Sequence, residues 1–239
     1  MKSRGLSEKR IELLQVIDRY GIITRKQIYS FMQISERHLI TGLKKLEALK
    51  YISTYRLARG YAHYITKAGS QYLGNINFGY VKSGFKEPNL AILEHNLLVN
   101  DCIVQETAYI QGRLKNTPIE TITEREQLVE ITLKLDLSKQ TVNQGRSLKM
   151  KMRNRVPDFL LRFENDGEKL TNAYEVELTR KNRTALRGKL SWYKAEKEKG
   201  VYDNVLYLYE RDNVKRHIET NANQVDLKVF FRKIEIERG

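Results

Sequence analysis

The sequence predicts a mixed α/β chain of the α+β kind, a small helix-led part followed by a larger one in which strands and helices alternate. Three observations carry this expectation. Residues 7–50 place apolar side chains at helical spacing, whereas from Ile119 onward short aromatic and β-branched runs alternate with helical patterns. Between them, the stretch from Asn75 to Pro88 collects Asn-Ile-Asn-Phe-Gly, Ser-Gly and Glu-Pro, the residues of a linker. The expected division is therefore a domain over 1–74, a linker over 75–88, and a long helix leading a second domain over 89–239.

The elements follow in order. Ser7, Glu8 and the spacing of Ile11, Leu14 and Ile17 read as a capped amphipathic helix ending near Tyr20-Gly21. Thr24 caps a second, short helix from Arg25 to Met32 with Ile28 and Phe31 inward. Ser35 caps a third that runs to about Lys50, buried along Leu39, Leu43, Leu46 and Leu49 or Lys50. Arg37, Thr41, Lys44, Lys45 and Ala48 fall on the opposite side. Helix, short helix, tight turn and longer basic helix describe a helix-turn-helix. Strands from Tyr51 to Leu57 and from Tyr61 to Thr66, turned at Ala58-Arg59-Gly60, add a wing with Arg56 and Arg59 at its tip. A further helix opens at Thr66.

The second part begins with a helical pattern from Asn89 to Gly112, striped by Leu90, Leu93, Leu97, Val104 and Ala108. Ile119-Glu-Thr-Ile-Thr reads as a strand with Glu124 and Glu126 after it, and Arg146 to Arg155 as an exposed basic loop. Strands Phe159–Phe163 and Tyr174–Thr179 are joined across Asn165-Asp-Gly, a hairpin signal. A helix from Arg183 to Lys199 buries Leu186, Leu190 and Tyr193. The compact strand Asn204–Tyr209, a helix over Asn213–Ala222 and a strand over Leu227–Phe231 complete the layers.

Charge narrows the function. The net charge is +14, and residues 1–85 hold 15 Lys and Arg against 5 Asp and Glu, while the remainder holds 28 against 24. Cationic charge concentrated in the first third favours a polyanion, because neutralising phosphates releases counterions. No stretch pairs a basic face with a large apolar one, so a membrane partner is not expected. A single cysteine, Cys102, allows no internal disulfide and fits a reducing cytoplasm. In double-stranded DNA, the third helix would enter the major groove, with Arg37, His38, Thr41 and Lys44 at base edges. Lys26, Lys45, Arg56 and Arg59 would hold phosphates, and no cofactor is needed for that binding.

The second part carries a different chemistry. Asp158 stands at the mouth of one strand and Glu175 and Glu177 on the next. Alternate strand residues share a face, so the two glutamates point the same way while Tyr174, Val176 and Leu178 turn to the core. Converging carboxylates repel unless a cation compensates them. The order strand, Asp, hairpin, strand with Glu-x-Glu, then helix resembles restriction-endonuclease-like, or PD-(D/E)xK, domains. That resemblance implies Asp158 and Glu175 as ligands of Mg²⁺ or Mn²⁺ and a catalytic set of Asp158, Glu175, Glu177 and Lys181, with Glu124 or Glu126 as a further acid. Glu177 occupies the usual lysine position. Lys181 lies about 13 Å further along an extended strand, so it serves only if the chain bends, and Lys189 on the next helix is the alternative.

Taken together, the winged-helix run through Leu73, Leu93-Glu-His95-Asn-Leu-Leu-Val-Asn-Asp101, Thr123-Glu-Arg-Glu126, Val156-Pro-Asp158 and Tyr174-Glu-Val-Glu-Leu-Thr-Arg-Lys-Asn-Arg183 resemble the replication-relaxation family. That family includes MobC-type accessory proteins of plasmids and mobile elements. The resemblance implies a winged helix-turn-helix followed by a restriction-endonuclease-like α/β domain. It also implies a sequence-specific DNA-binding protein that assists a relaxase or replication initiator at an origin; a homodimer would read a palindromic site, and a monomer reading direct repeats is equally compatible with the sequence. A metal-dependent endonuclease or nickase and a winged-helix transcriptional regulator are the alternatives.

Overall fold

A computed structural model describes residues 5–74, 79–81, 85, 87–115, 117–137 and 155–235, with backbone alone over 132–137. Most of the expected linker and the basic stretch 146–154 lie outside the described residues. The chain is mixed α/β, the described residues form two sheets, and it divides into compact units over 1–104 and 105–238. Among the described residues no helix is long and apolar enough to cross a membrane.

The first unit runs α1 (Glu8–Tyr20), β1 (Ile22–Thr24), α2 (Arg25–Phe31), α3 (Glu36–Ala48), β2 (Ile52–Arg56), β3 (Tyr61–Ile65) and α4 (Lys67–Tyr72), then enters α5 (Leu90–Arg113). Ser7 stands at the N-cap of α1 but makes no side-chain cap hydrogen bond there, whereas the expected caps Thr24 and Ser35 do. Thr24 and Gln27 form a capping box at α2, Ser35 accepts from the His38 amide at α3, and Thr66 accepts from that of Gly69 at α4. Leu13, Leu14, Ile17, Ile28, Leu39 and Leu46 bury fully between these helices. Helix α3 stops at Ala48, and Lys50 takes a left-handed φ of 59°, so Leu49 and Lys50 are exposed rather than buried. The strands form an antiparallel sheet in the order β1-β3-β2, turned at Gly60 with φ 87°. Strand β1, three residues long, is too short to leave a periodic trace in the sequence.

Helix α5 departs from its expected stripe. Leu90 is 53% exposed and Ala108 is exposed, whereas Leu93, Leu98, Val99, Asn100, Cys102 and Ile103 are buried. Its first half belongs to the first unit, where Leu93 packs with Ile22, Ala62 and Tyr64. Asn100 donates to the Ile22 carbonyl at 2.7 Å, and Gln27 donates to the Leu97 carbonyl and to Asp101, each at 2.8 Å. These bonds place the division after Val104, inside α5, beyond the 75–88 stretch.

The second unit continues through β4 (Glu120–Thr123), α6 (Glu124–Leu137), β5 (Phe159–Asn165), β6 (Glu168–Glu177), α7 (Arg183–Glu198), β7 (Asn204–Tyr209), α8 (Asp212–Gln224) and β8 (Phe230–Lys233). The sheet order is β4-β5-β6-β7-β8, with antiparallel pairing from β4 to β6 and parallel pairing from β6 to β8. Asp166 and Gly167 both have positive φ, 52° and 83°, as a two-residue hairpin between Asn165 and Glu168 requires. Parallel strands need crossovers, supplied by α7 and α8. These two helices pack Leu186, Leu190, Tyr193, Val214 and Ile218 on Leu160, Ala173, Val205 and Tyr207 of the sheet. Helix α6 was not legible as an element, because Ile131, Leu133, Leu135 and Leu137 alternate at strand spacing.

Gly69 marks the tightest approach in the first unit. A Cβ there would meet the Tyr51 carbonyl oxygen at 2.1 Å, backbone that cannot swing aside. Gly69→Ala is therefore expected to destabilise the unit by about 1–3 kcal/mol, measured by urea unfolding, whereas Gly188→Ala, with open space around it, should stabilise or be neutral.

Candidate functional site

Two groups of side chains stand out, one in each unit. In the first, Arg37, His38, Thr41, Lys44 and Lys45 are all exposed on α3, opposite the buried Leu39, Leu43 and Leu46. The 3.6-residue period places them there. His38 Nδ1 lies 2.7 Å from Ser35 Oγ, and the Thr41 hydroxyl donates to the Arg37 carbonyl at 2.7 Å. Lys26 is exposed on α2, Arg56 at the end of β2, and Arg59 in the turn that follows. The structure thus leaves all eight expected contact residues solvent-facing within one unit.

In the second unit, Asp158 precedes β5, and Glu175 and Glu177 lie on β6, one strand over. The Val176 amide donates to Asp158 Oδ2 at 2.7 Å, with Phe159 paired to Tyr174 in the register. This brings Asp158 beside Glu175. The face on which the glutamates lie differs from the expectation. Glu175 is 1% exposed and Glu177 is buried too, as are Tyr174 and Val176 on the other face. Helices cover both faces: Glu175 accepts from the Tyr193 hydroxyl of α7, while Tyr174 bonds Glu106 of α5.

Compensation comes from lysines. Lys189 Nζ of α7 lies 2.5 Å from Glu175 Oε1, and Lys181 Nζ lies 2.5 Å from Glu177 Oε2. The chain does bend after β6 ends at Glu177, so Lys181 returns toward the carboxylates instead of continuing along the strand. Burial raises the Glu175 carboxyl, Lys189 lowers it, and Asp158 raises it again, for a net rise. Burial pulls the Lys181 ammonium down, but Glu175 and Glu177 outweigh it and the net shift is upward. Tyr207, opposite Glu175 in the register, has a buried hydroxyl without a hydrogen-bond partner among the described residues, and burial beside these carboxylates drives its pKa well up.

Of the two further acids, Glu124 donates its amide to the Asp158 carbonyl at 3.1 Å, and Glu126 caps α6. The Glu126 carboxylate accepts from the Thr123 amide at 2.9 Å and the Glu126 amide donates to the Thr123 hydroxyl, a capping box that starts α6. Thr123-x-x-Glu126 is a sequence signature of that box. Tyr193 was legible only as a buried residue. Asp158 and Glu175 offer the hard oxygen donors that Mg²⁺ or Mn²⁺ takes. Among the described residues, however, no three His, Cys, Asp or Glu side chains gather as a metal-holding group. Lys189 lies against Glu175 and Lys181 against Glu177, two cations among the three carboxylates.

No family model, curated protein or solved structure matches the chain.

Glu175 is the group most exposed to loss of its partner. Lys189→Met leaves a buried carboxylate uncompensated and is expected to cost about 3–5 kcal/mol near neutral pH. The folded-state pKa of Glu175 then rises further above its unfolded value, so the folded state binds the extra proton and stability falls as pH rises through that window. The deficit of the variant relative to wild type should therefore shrink between pH 8 and pH 5 in urea titrations. A deficit independent of pH would remove Glu175 as its cause.

Proposed function

We propose that the protein is a sequence-specific double-stranded DNA binder acting at the origin of a plasmid or mobile element, an accessory to a relaxase or replication initiator of the replication-relaxation kind. One observation carries the reading: the exposed face of α3, with Arg37, His38, Thr41, Lys44 and Lys45 in one stripe. The order of elements supports it. Helix, short helix, basic helix and a β2–β3 hairpin tipped by Arg59 is the order of a winged helix-turn-helix. In this reading α3 lies in the major groove, where Arg37 and Lys44 match guanine edges. Lys26, Lys45, Arg56 and Arg59 neutralise phosphates and set the register. The same fold is compatible with one copy on the DNA or with a homodimer on a palindrome.

A second reading is favoured by the juxtaposition of Asp158, Glu175 and Lys189 in the C-terminal unit. Strand, hairpin, strand and crossover helix follow the order of a restriction-endonuclease-like domain. As a metal-dependent nickase, it would hold Mg²⁺ or Mn²⁺ on Asp158 and Glu175, lowering the pKa of a bound water. Lys189 or Lys181 would then face the reacting phosphate.

The two readings separate in one experiment on supercoiled DNA carrying the element's own origin, footprinted and scored for nicking with and without Mg²⁺. Replacing Arg37, Lys44 and Arg59 together by alanine should weaken binding roughly 100-fold or more, at about 1–3 kcal/mol for a base contact and less for a phosphate, with the melting temperature unchanged. Glu175→Gln should leave the footprint intact, and only the nickase reading expects it to abolish cutting. A footprint that survives the triple substitution would remove α3 as the reading element.

A further inference from the structure

Helices α7 and α8 of the C-terminal unit, with the turn before α7, border an open cavity of about 390 Å³, lined by the exposed Arg180, Arg183, Arg187 and Arg216 together with His217 and Asn221 and without an acidic residue. Elsewhere in this unit several basic side chains find carboxylates, Arg232 with Glu106, Arg162 with Glu120, Lys194 with Asp226, and Lys199 with Glu196. Arg180, Arg183 and Arg216 make no ion pair among the described residues, although they share one concavity. Four guanidinium groups gathered without a counter-charge repel one another, and an anion seated among them relieves that repulsion.

The cavity is also built, not merely lined. Asn221, 2% exposed, accepts from Arg187 Nε at 2.9 Å and donates to the His217 carbonyl at 2.7 Å. Arg187 is thereby held by one edge of its fork, and its terminal amino groups remain as donors. His217 Nε2 lies 3.0 Å from the Lys181 carbonyl, which ties the cavity wall to the segment that returns to Glu177. All four strong cations are arginines, whose planar forks match the oxygens of phosphate, and the volume lies within the roughly 300–1,000 Å³ of small-molecule sites.

We propose that this cavity is a phosphate-binding site that takes a nucleotide phosphate and holds it beside the Asp158–Glu175 centre. The phosphate can belong to a DNA strand or to a free nucleotide. The proposal stands independently of the α3 interface, since the cavity residues and that interface lie in different units.

The test uses the full chain, the double variant Arg183→Glu/Arg216→Glu, the milder Arg187→Ala, and a control of equal charge change, Lys169→Glu/Lys228→Glu. Binding of fluorescent single- and double-stranded oligonucleotides of arbitrary sequence is followed by anisotropy across a salt series. Melting temperature is compared in inorganic phosphate and in chloride at equal ionic strength. The Arg183/Arg216 variant is expected to lose affinity roughly tenfold and to lower the salt slope by about 1.4–1.8, the release from two phosphates. Wild type should melt higher in phosphate than in chloride, and that difference should vanish in the double variant and shrink in Arg187→Ala. Loss in the DNA arm assigns a strand phosphate; loss in the phosphate arm alone assigns a free nucleotide. Unchanged behaviour of the folded variants in both arms, or an equal change in the lysine control, overturns the proposal. The Arg37/Lys44/Arg59 variant should retain the phosphate-dependent melting shift, so failure of the α3 interface would be seen separately.

Discussion

The C-terminal unit depends on pairing each carboxylate that its sheet buries. Covering both faces of a five-stranded sheet with helices removes Glu106, Glu175 and Glu177 from water. An isolated buried carboxylate is costly enough to take up a proton or unfold its surroundings. Here each has its own cation: Arg232 at 2.6 Å from Glu106, Lys189 at 2.5 Å from Glu175, and Lys181 at 2.5 Å from Glu177. Tyrosines complete the coordination, Tyr174 at Glu106 and Tyr193 at Glu175. The cations come from β8, from α7 and from the bend after β6, so the pairs can form only when those elements are all in place.

The same demand explains the loop between β6 and α7. Lys181 must double back to meet Glu177, which ends the strand four residues before it, and Asn182 then caps α7 by accepting from the amides of Thr184 and Ala185. Arg180 and Arg183 flank this turn and are left facing the α7–α8 cavity. Lys181 thus meets Glu177 through its ammonium and His217 of the cavity wall through its carbonyl. The first unit works by another rule. There Asn100 bonds the Ile22 carbonyl and Gln27 bonds Asp101, Asp18 is buried, and the basic side chains of α2, α3 and the β2–β3 turn are exposed.

Much of this was legible in the sequence where the signal is local. Capping residues Thr24, Ser35 and Thr66, the Asn165-Asp-Gly turn, and the buried trio Leu186, Leu190 and Tyr193 mark their elements because caps, turns and the helical period involve only near neighbours. The signal failed where a segment offered two periods or none. Strand β1 is too short, α6 alternates like a strand beyond its capping box, and α5 buries different sides along its length, so no single stripe describes it.

By itself, the sequence determined which residues are solvated on α3 and which carboxylates occupy adjacent strands, since strand and helix periods assign faces without reference to distant parts of the chain. Only the tertiary structure decided that Glu175 and Glu177 face a helix, that Lys189 and Tyr193 answer one of them, and that four arginines from two helices and a turn share one cavity. Those outcomes depend on which layers cover the sheet and on contacts between residues far apart in sequence, and no local periodicity records them.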